Sequence, residues 1–231
     1  MRLVAELISR GHNVTAISRS SARTEDIARL GARIELADLL NATSAERIVA
    51  DSEPEVVIDE LTSLPRTPAD IPKALAGHVK VTVEGGSNLY RAARAAGIRR
   101  YIQQSSAFFL EPGTGLASES DLFVSGAGGN VAISADMYRS LEARLFSSPA
   151  TEAVALRYGI FYGPDTWYHP KGATATQTKN REFPIVGEGA GVWSFVHVHF
   201  IFSPVRTEEH TDQLQGVRSV SMLVFESVIS L

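Results

Sequence analysis

The first twenty residues, Met1–Ser20, read MRLVAELISRGHNVTAISRS. Residues 2–10 carry apolar side chains at the spacing of an amphipathic helix. Gly11 stops that helix, and Asn13–Ser18 then reads as a buried strand. A helix feeding a strand through a tight glycine turn is the second half of a βαβ unit. The first half, a strand and the glycine-rich turn that would join it to this helix, has no counterpart upstream, because Met1 falls inside the helix.

The same alternation continues. Ser20–Gly31 is predicted helical, and Arg33–Ala37 is a strand ending at Asp38. Thr43, Ser44, Ala45 and Glu46 have the pattern of a capping box opening a short helix through Ala50. Glu55–Asp59 is a short apolar run and therefore a buried strand. Gly86–Ala96 is a helix closed by Gly97, Arg100–Gln104 the next strand, Ala135–Phe146 a helix and Ala153–Tyr158 a strand. Strands separated by single helices give an α/β fold with a doubly wound parallel sheet. Ligands of such sheets bind at the carboxyl ends of the strands. Ser18 and Arg19, Asp38, Leu61 and Thr62, Ser105 and Ser106, and Tyr158 and Gly159 are thereby expected along one crevice. Residues 111–134, beginning EPGTGLASESDLFVSGAGGN, lack periodicity and read as a long loop beside it. From Thr166 the pattern breaks into loops and short strands.

The chain has 231 residues, 44% of them hydrophobic, and a formal net charge of −4. That is an ordinary globular composition, and its mild acidity gives no footprint for nucleic acid or an anionic membrane. The absence of cysteine excludes disulfides, thiolate metal sites and a cysteine nucleophile. No histidine has a second ligand at metal-like spacing, so no metal is expected. No apolar run approaches the roughly 20 residues of a membrane helix, and Arg2 and Glu6 interrupt any signal-peptide core. A cytoplasmic protein is expected.

Five stretches resemble, in order and spacing, the NAD(P)-dependent epimerase/dehydratase family of extended and atypical short-chain dehydrogenases. They are RGHNVTAISRS, LADLLN, GGSNLYRAARAAGIRRYIQQSSAF, LRYGIFYGP and GEGAGVWSFVHV, which together reach residue 198. The resemblance implies a Rossmann-like NAD(P)-binding domain over 1–165, a partial small substrate-binding lobe over 166–198 and a divergent tail over 199–231. It implies hydride transfer on a small hydroxyl or carbonyl substrate such as a nucleotide sugar, with NADP or NAD as cofactor and a homodimer as a candidate assembly. A dinucleotide-binding regulator or an inactive fragment is the alternative. Members of the family begin with a strand and a GxxGxxG turn, so a sheet lacking its first strand is expected, with a weakened fold and weakened cofactor grip unless another segment fills the gap. The apolar stretch Ser219–Leu231 reads as a strand or a helix, and the vacant first position is one place for it.

Site residues follow from the resemblance. Ser106, at the end of the fifth family strand, is placed on the substrate oxygen. Tyr138 is placed as acid–base, but aligning on it puts Glu142 at the lysine of the family's YxxxK pair, and aligning on the downstream LEA instead leaves Asp136 and Ser140 at the two positions. A carboxylate there would raise the tyrosine pKa, the wrong direction for a base. Arg19 after the second strand favours a 2′-phosphate and hence NADP. Asp38 and Leu39 form the adenine-contacting turn. Leu61, Thr62, Ser105 and Tyr158 complete the cofactor-binding set.

Overall fold

The computed structural model describes residues 2–65, 67–185, 187–199 and 221–226, the last by its backbone alone. Helix α1 (Arg2–Ser9) buries Val4 and ends where Gly11 takes a φ of +83°, a conformation that glycine adopts without a side-chain clash. Strand β1 (Asn13–Ser18) follows, then α2 (Thr24–Arg29), β2 (Arg33–Leu36), α3 (Ala42–Ser52) and β3 (Val56–Glu60). Helix α3 starts a residue before Thr43, and its cap is Asn41, whose side chain accepts the Ser44 N–H at 3.3 Å. The expected Thr43 box is therefore corrected: an asparagine two residues earlier satisfies the first turn.

A helix that the sequence reading did not contain follows β3. Residues Ile71–Lys80 (α4) run through a wide π-type turn at Val81–Gly85 directly into α5 (Gly86–Ala95). At Gly86 the helix approaches its neighbours closely, since a Cβ there would lie 3.1 Å from the Arg144 guanidinium and 3.2 Å from Asp59 Oδ2. Strand β4 (Arg100–Ser106), helix α6 (Gly129–Leu145) and β5 (Glu152–Tyr158) complete the repeat. Helix α6 begins six residues before the expected Ala135, with Gly128 as its cap position. The loop before it is accordingly shorter than 111–134, and Leu110 and Phe123 pair across it. Beyond it lie β6 (Ile160–Tyr162), α7 (Ala173–Lys179) and β7 (Phe195–His197), with β6 and β7 forming a separate parallel pair.

The main sheet is parallel throughout, in the order β2-β1-β8-β3-β4-β5, where β8 is Ser221–Glu226. The gap expected between β1 and β3 is filled from the other end of the chain: Val224 stands in register with Ala16 on one side and Ile58 on the other. The physical reason is direct. Strands β1 and β3 are buried, and a vacant slot between them would leave two rows of N–H and C=O groups without partners. The rest of the 199–231 tail beyond His199 lies outside the described residues. Each face of the sheet carries its own core, one around Leu39, Ile48, Leu89, Tyr101 and Leu145, the other around Val4, Ala16, Ile27 and Ile58. Among the described residues no helix is long and apolar enough to cross a membrane.

Candidate active site

In a parallel sheet all strands end at the same edge, and the carboxyl ends of β3, β4 and β5 open onto a cavity of about 300 Å³. Ser106 and Tyr158 line it from the sheet, Ser134, Met137 and Tyr138 from α6, and Leu75 and His78 from α4. The Ser106 Oγ accepts the Phe108 N–H at 3.1 Å, which leaves the hydroxyl's own proton to donate. Gly159 lets the chain turn from β5 into β6 here, since a Cβ would lie 2.6 Å from the Ser194 carbonyl oxygen.

Strand alternation sends Ser105 to the other face from Ser106. There Ser105 Oγ donates to Glu142 Oε1 at 2.6 Å, and Arg157 donates to both Glu142 oxygens at 2.8 and 2.7 Å. Arg157 also donates to the carbonyls of Glu119 and Asp121 and lies 4.9 Å over the Phe123 ring. Burial pushes the Glu142 carboxyl up, but the hydrogen bonds from Arg157 and Ser105 and the guanidinium charge outweigh it, and the group titrates below its ordinary range. Glu142 thus ties α6, β4, β5 and the 107–128 loop together. The hydroxyl of Ser105 is committed to that tie.

Tyr138 is packed between Phe109 and Phe123, with ring centroids at 5.7 and 6.2 Å. Burial, and then the charge of Glu60, push its phenol up to about 12. The direction is that expected of a carboxylate neighbour, but the carboxylate responsible is Glu60 at the end of β3, while Glu142 faces Arg157. The Glu60 carboxyl is itself pushed up to about 8, chiefly by burial and further by Asp59, against the lowering effect of the Tyr158 hydroxyl that donates to it at 3.2 Å. Burial and Glu60 raise the Tyr158 phenol as well. His78 is held neutral, its pKa brought down to about 4 by burial, and its Nδ1 accepts the Ser63 N–H at 3.1 Å. Thr62 lies 3.3 Å from the same nitrogen.

The remaining expected cofactor residues lie along the same edge, toward β1 and β2. Arg19 and Asp38 are exposed at the strand ends, and Asp38 Oδ1 accepts the Leu40 N–H at 3.0 Å. The side chains of Leu39 and Leu61 belong to the core, so only their backbone faces the edge. The Leu39 carbonyl accepts from Asn88 at 2.8 Å, and the Leu61 N–H donates to Asp59 at 3.1 Å. Because α1 runs antiparallel to β1, its N-terminus also lies at this edge, where Arg2 reaches Asp165 in the loop after β6 at 3.2 Å. An exposed carboxylate and an exposed guanidinium at this edge suit the ribose or adenine donors and a phosphate of a dinucleotide.

Glu60, His78, Ser134 and the Glu142–Arg157 pair escaped the sequence reading. The pair joins a helix and a strand fifteen residues apart, a contact without a periodic signature. Glu60 was readable as an acid closing an apolar strand.

The NAD dependent epimerase/dehydratase family matches residues 1–199. The chain is 37% identical over 198 residues to a 3-diazoavenalumate denitrifying reductase from Streptomyces sp., a match covering 85% of this chain and 64% of the relative, so the chain spans less than two thirds of that protein's length. The fold is similar to that of Thermus thermophilus UDP-glucose 4-epimerase in complex with NAD, with a TM-score of 0.63 at 20% identity over 97% of this chain and 73% of that one. It is similar also to Bordetella bronchiseptica WbmH in complex with NAD+, with a TM-score of 0.69 at 16% identity over 99% and 72%. With the motifs, the sheet order and the family match in agreement over the same residues, the chain belongs to the NAD dependent epimerase/dehydratase family.

Proposed function

We propose that the chain is an NAD(P)-dependent reductase acting by hydride transfer on a small carbonyl-type acceptor held in the cavity at the ends of β3–β5. The observation that carries this is that Ser106, whose hydroxyl proton is left to donate, and Tyr138 line one cavity at the ends of the strands. A phenol at about 12 keeps its proton at neutral pH. It can give that proton to an alkoxide as one forms, but it is a poor base for taking one from a substrate hydroxyl. The site is therefore biased toward reduction and away from reactions that begin by oxidising an alcohol. NAD(P)H, when bound, supplies the hydride. Ser106 donates a hydrogen bond to the acceptor oxygen and orients it, and Tyr138 delivers the proton from its Oη to that oxygen. Glu142 and Arg157 hold α6 and the 107–128 loop against the sheet, so the tyrosine stays at the cavity wall. Arg19 favours NADP and Asp38 binds the adenosine half. The 37% identical relative is itself a reductase.

Incubating the protein with NADPH or NADH deuterated at C4 and a panel of small aldehydes, then reading the alcohols by mass spectrometry, tests this. One deuterium at the carbinol carbon is the expected result, and deuterium-free product pools across the panel would count against it. The replacement of the family lysine by Glu142 favours a second reading, a dinucleotide-binding regulator. That reading predicts saturable NADPH binding with no transfer in the same experiment.

A further inference from the structure

We infer that the occupant of the cavity is a flat aromatic molecule without a phosphate group, in place of a nucleotide sugar; this rests on reading the cavity as the substrate site. Aromatic rings dominate its wall, from Phe108, Phe109, Tyr138, Phe161, Trp167 and Tyr168. One pair of wall rings already stands face to face, Phe109 at 24° to Tyr138, and behind the wall Phe108 stacks at 18° on Trp193 with 4.6 Å between centroids. A third ring entering parallel to these surfaces gains offset stacking beyond its area of burial. On the α4 side the lining is aliphatic apart from His78, with Ile71, Ala74 and Leu75.

Charge points the same way. The described lining residues include no Lys, Arg, Asp or Glu, and the one histidine, His78, is held neutral. A diphosphate brought here would lose its hydration with no cation among them to replace it. Polar groups gather where the strands end, at Gln104, Ser106 and Ser134. That suits a ligand with one polar end and an apolar body. Size agrees as well. An apolar cavity of about 150 Å³ accepts a benzene ring, so the roughly 300 Å³ found here takes a ring with a short side chain.

Trp167 reports on the site, because the chain has only two tryptophans and Trp193→Phe leaves it alone while preserving an aromatic partner for Phe108. In that variant, Trp167 emission is titrated with trans-cinnamyl alcohol and with UDP-glucose, each with and without NAD+. Saturable quenching by the alcohol is expected at concentrations at least tenfold below any effect of UDP-glucose. Adding Ala74→Phe, which fills the cavity from α4, is expected to weaken the alcohol at least tenfold while thermal unfolding stays cooperative. Three results overturn the inference: UDP-glucose saturating at equal or lower concentration, neither probe saturating, or Ala74→Phe leaving the alcohol's affinity unchanged in a folded protein. Cofactor reduction is not read. A protein that binds the alcohol here and transfers no deuterium to the aldehydes in the experiment above therefore removes the reductase reading and leaves the aromatic occupant in place.

Discussion

Replacing Arg157 with alanine strands the Glu142 carboxylate. Two charge-assisted hydrogen bonds at 2.8 and 2.7 Å disappear, and two loop carbonyls lose their donor. Removing one partner of a buried ion pair costs about 3–5 kcal/mol. Arg157 and Glu142 keep 20% and 11% of their side-chain surface, which places the loss near the lower end, about 3 kcal/mol. For a domain of this size each kcal/mol lowers Tm by about 2–4 °C, so Arg157→Ala is expected to melt about 6–12 °C below the parent in a circular-dichroism scan. The double variant with Glu142→Ala should recover part of that loss, because no unpaired charge remains. Arg99→Ala is the control, for its partnership with Glu152 is exposed and screened by solvent, and this variant is expected to melt with the parent. The pH dependence has a fixed sign. The folded Glu142 carboxyl lies below its ordinary 4.5, so the stabilisation is fully present above about pH 4.5 and fades as pH falls through the lowered value. An Arg157→Ala protein melting within about 2 °C of the parent at pH 7 would refute the idea that this pair ties the site together.

Val224→Pro deletes a backbone N–H in the middle of the sheet, between Ala16 and Ile58, and with it a ladder hydrogen bond, so the urea midpoint is expected to fall; an unchanged midpoint would mean that β8 contributes nothing to the sheet. Glu60 keeps its proton in the fold to about pH 8, against 4.5 when ordinary, so between those values the native state holds a proton that the unfolded chain releases. Stability should fall as pH rises across that window, and Glu60→Gln should flatten the profile measured by urea unfolding at pH 5 and pH 8. Tyr138→Phe removes the proposed proton donor and is expected to lower kcat for carbonyl reduction about 100-fold, while the parent's rate shows no loss from phenol ionisation up to pH 10. A drop of less than about threefold would move the donor role elsewhere.

The alternating helices and strands were legible because each strand is a short apolar run closed by a glycine or a polar end, as at Asn13–Ser18 and Val56–Glu60. Helix α4 was not. Its stretch opens among Pro65, Pro68 and Pro72 and runs into Val81, Thr82 and Val83, whose β-branched side chains favour strands; the tertiary setting of the π turn overrides them. The start of α6 was hidden by Gly128 and Gly129, which read as loop. Strand β8 was visible only as an apolar run, because its partners β1 and β3 lie some two hundred and one hundred and sixty residues away, and nothing local selects them. At the site, Ser106 and Tyr158 follow from the strand ends, and Tyr138 from the family resemblance. The electrostatics that set their chemistry do not, since Glu60 acts on both tyrosines across three elements and Glu142 is diverted by Arg157.

The claim on which the rest stands is that the carboxyl edge of this sheet holds a dinucleotide. Titrating the protein into NADPH and NADH and following the nicotinamide fluorescence measures it directly. Saturable binding of both is expected with Kd below about 1 mM, the −4 kcal/mol level, NADPH the tighter of the two through Arg19 and each weakened by Asp38→Ala. Fluorescence that stays linear with protein concentration for both nucleotides, in a cooperatively folded sample, would contradict it.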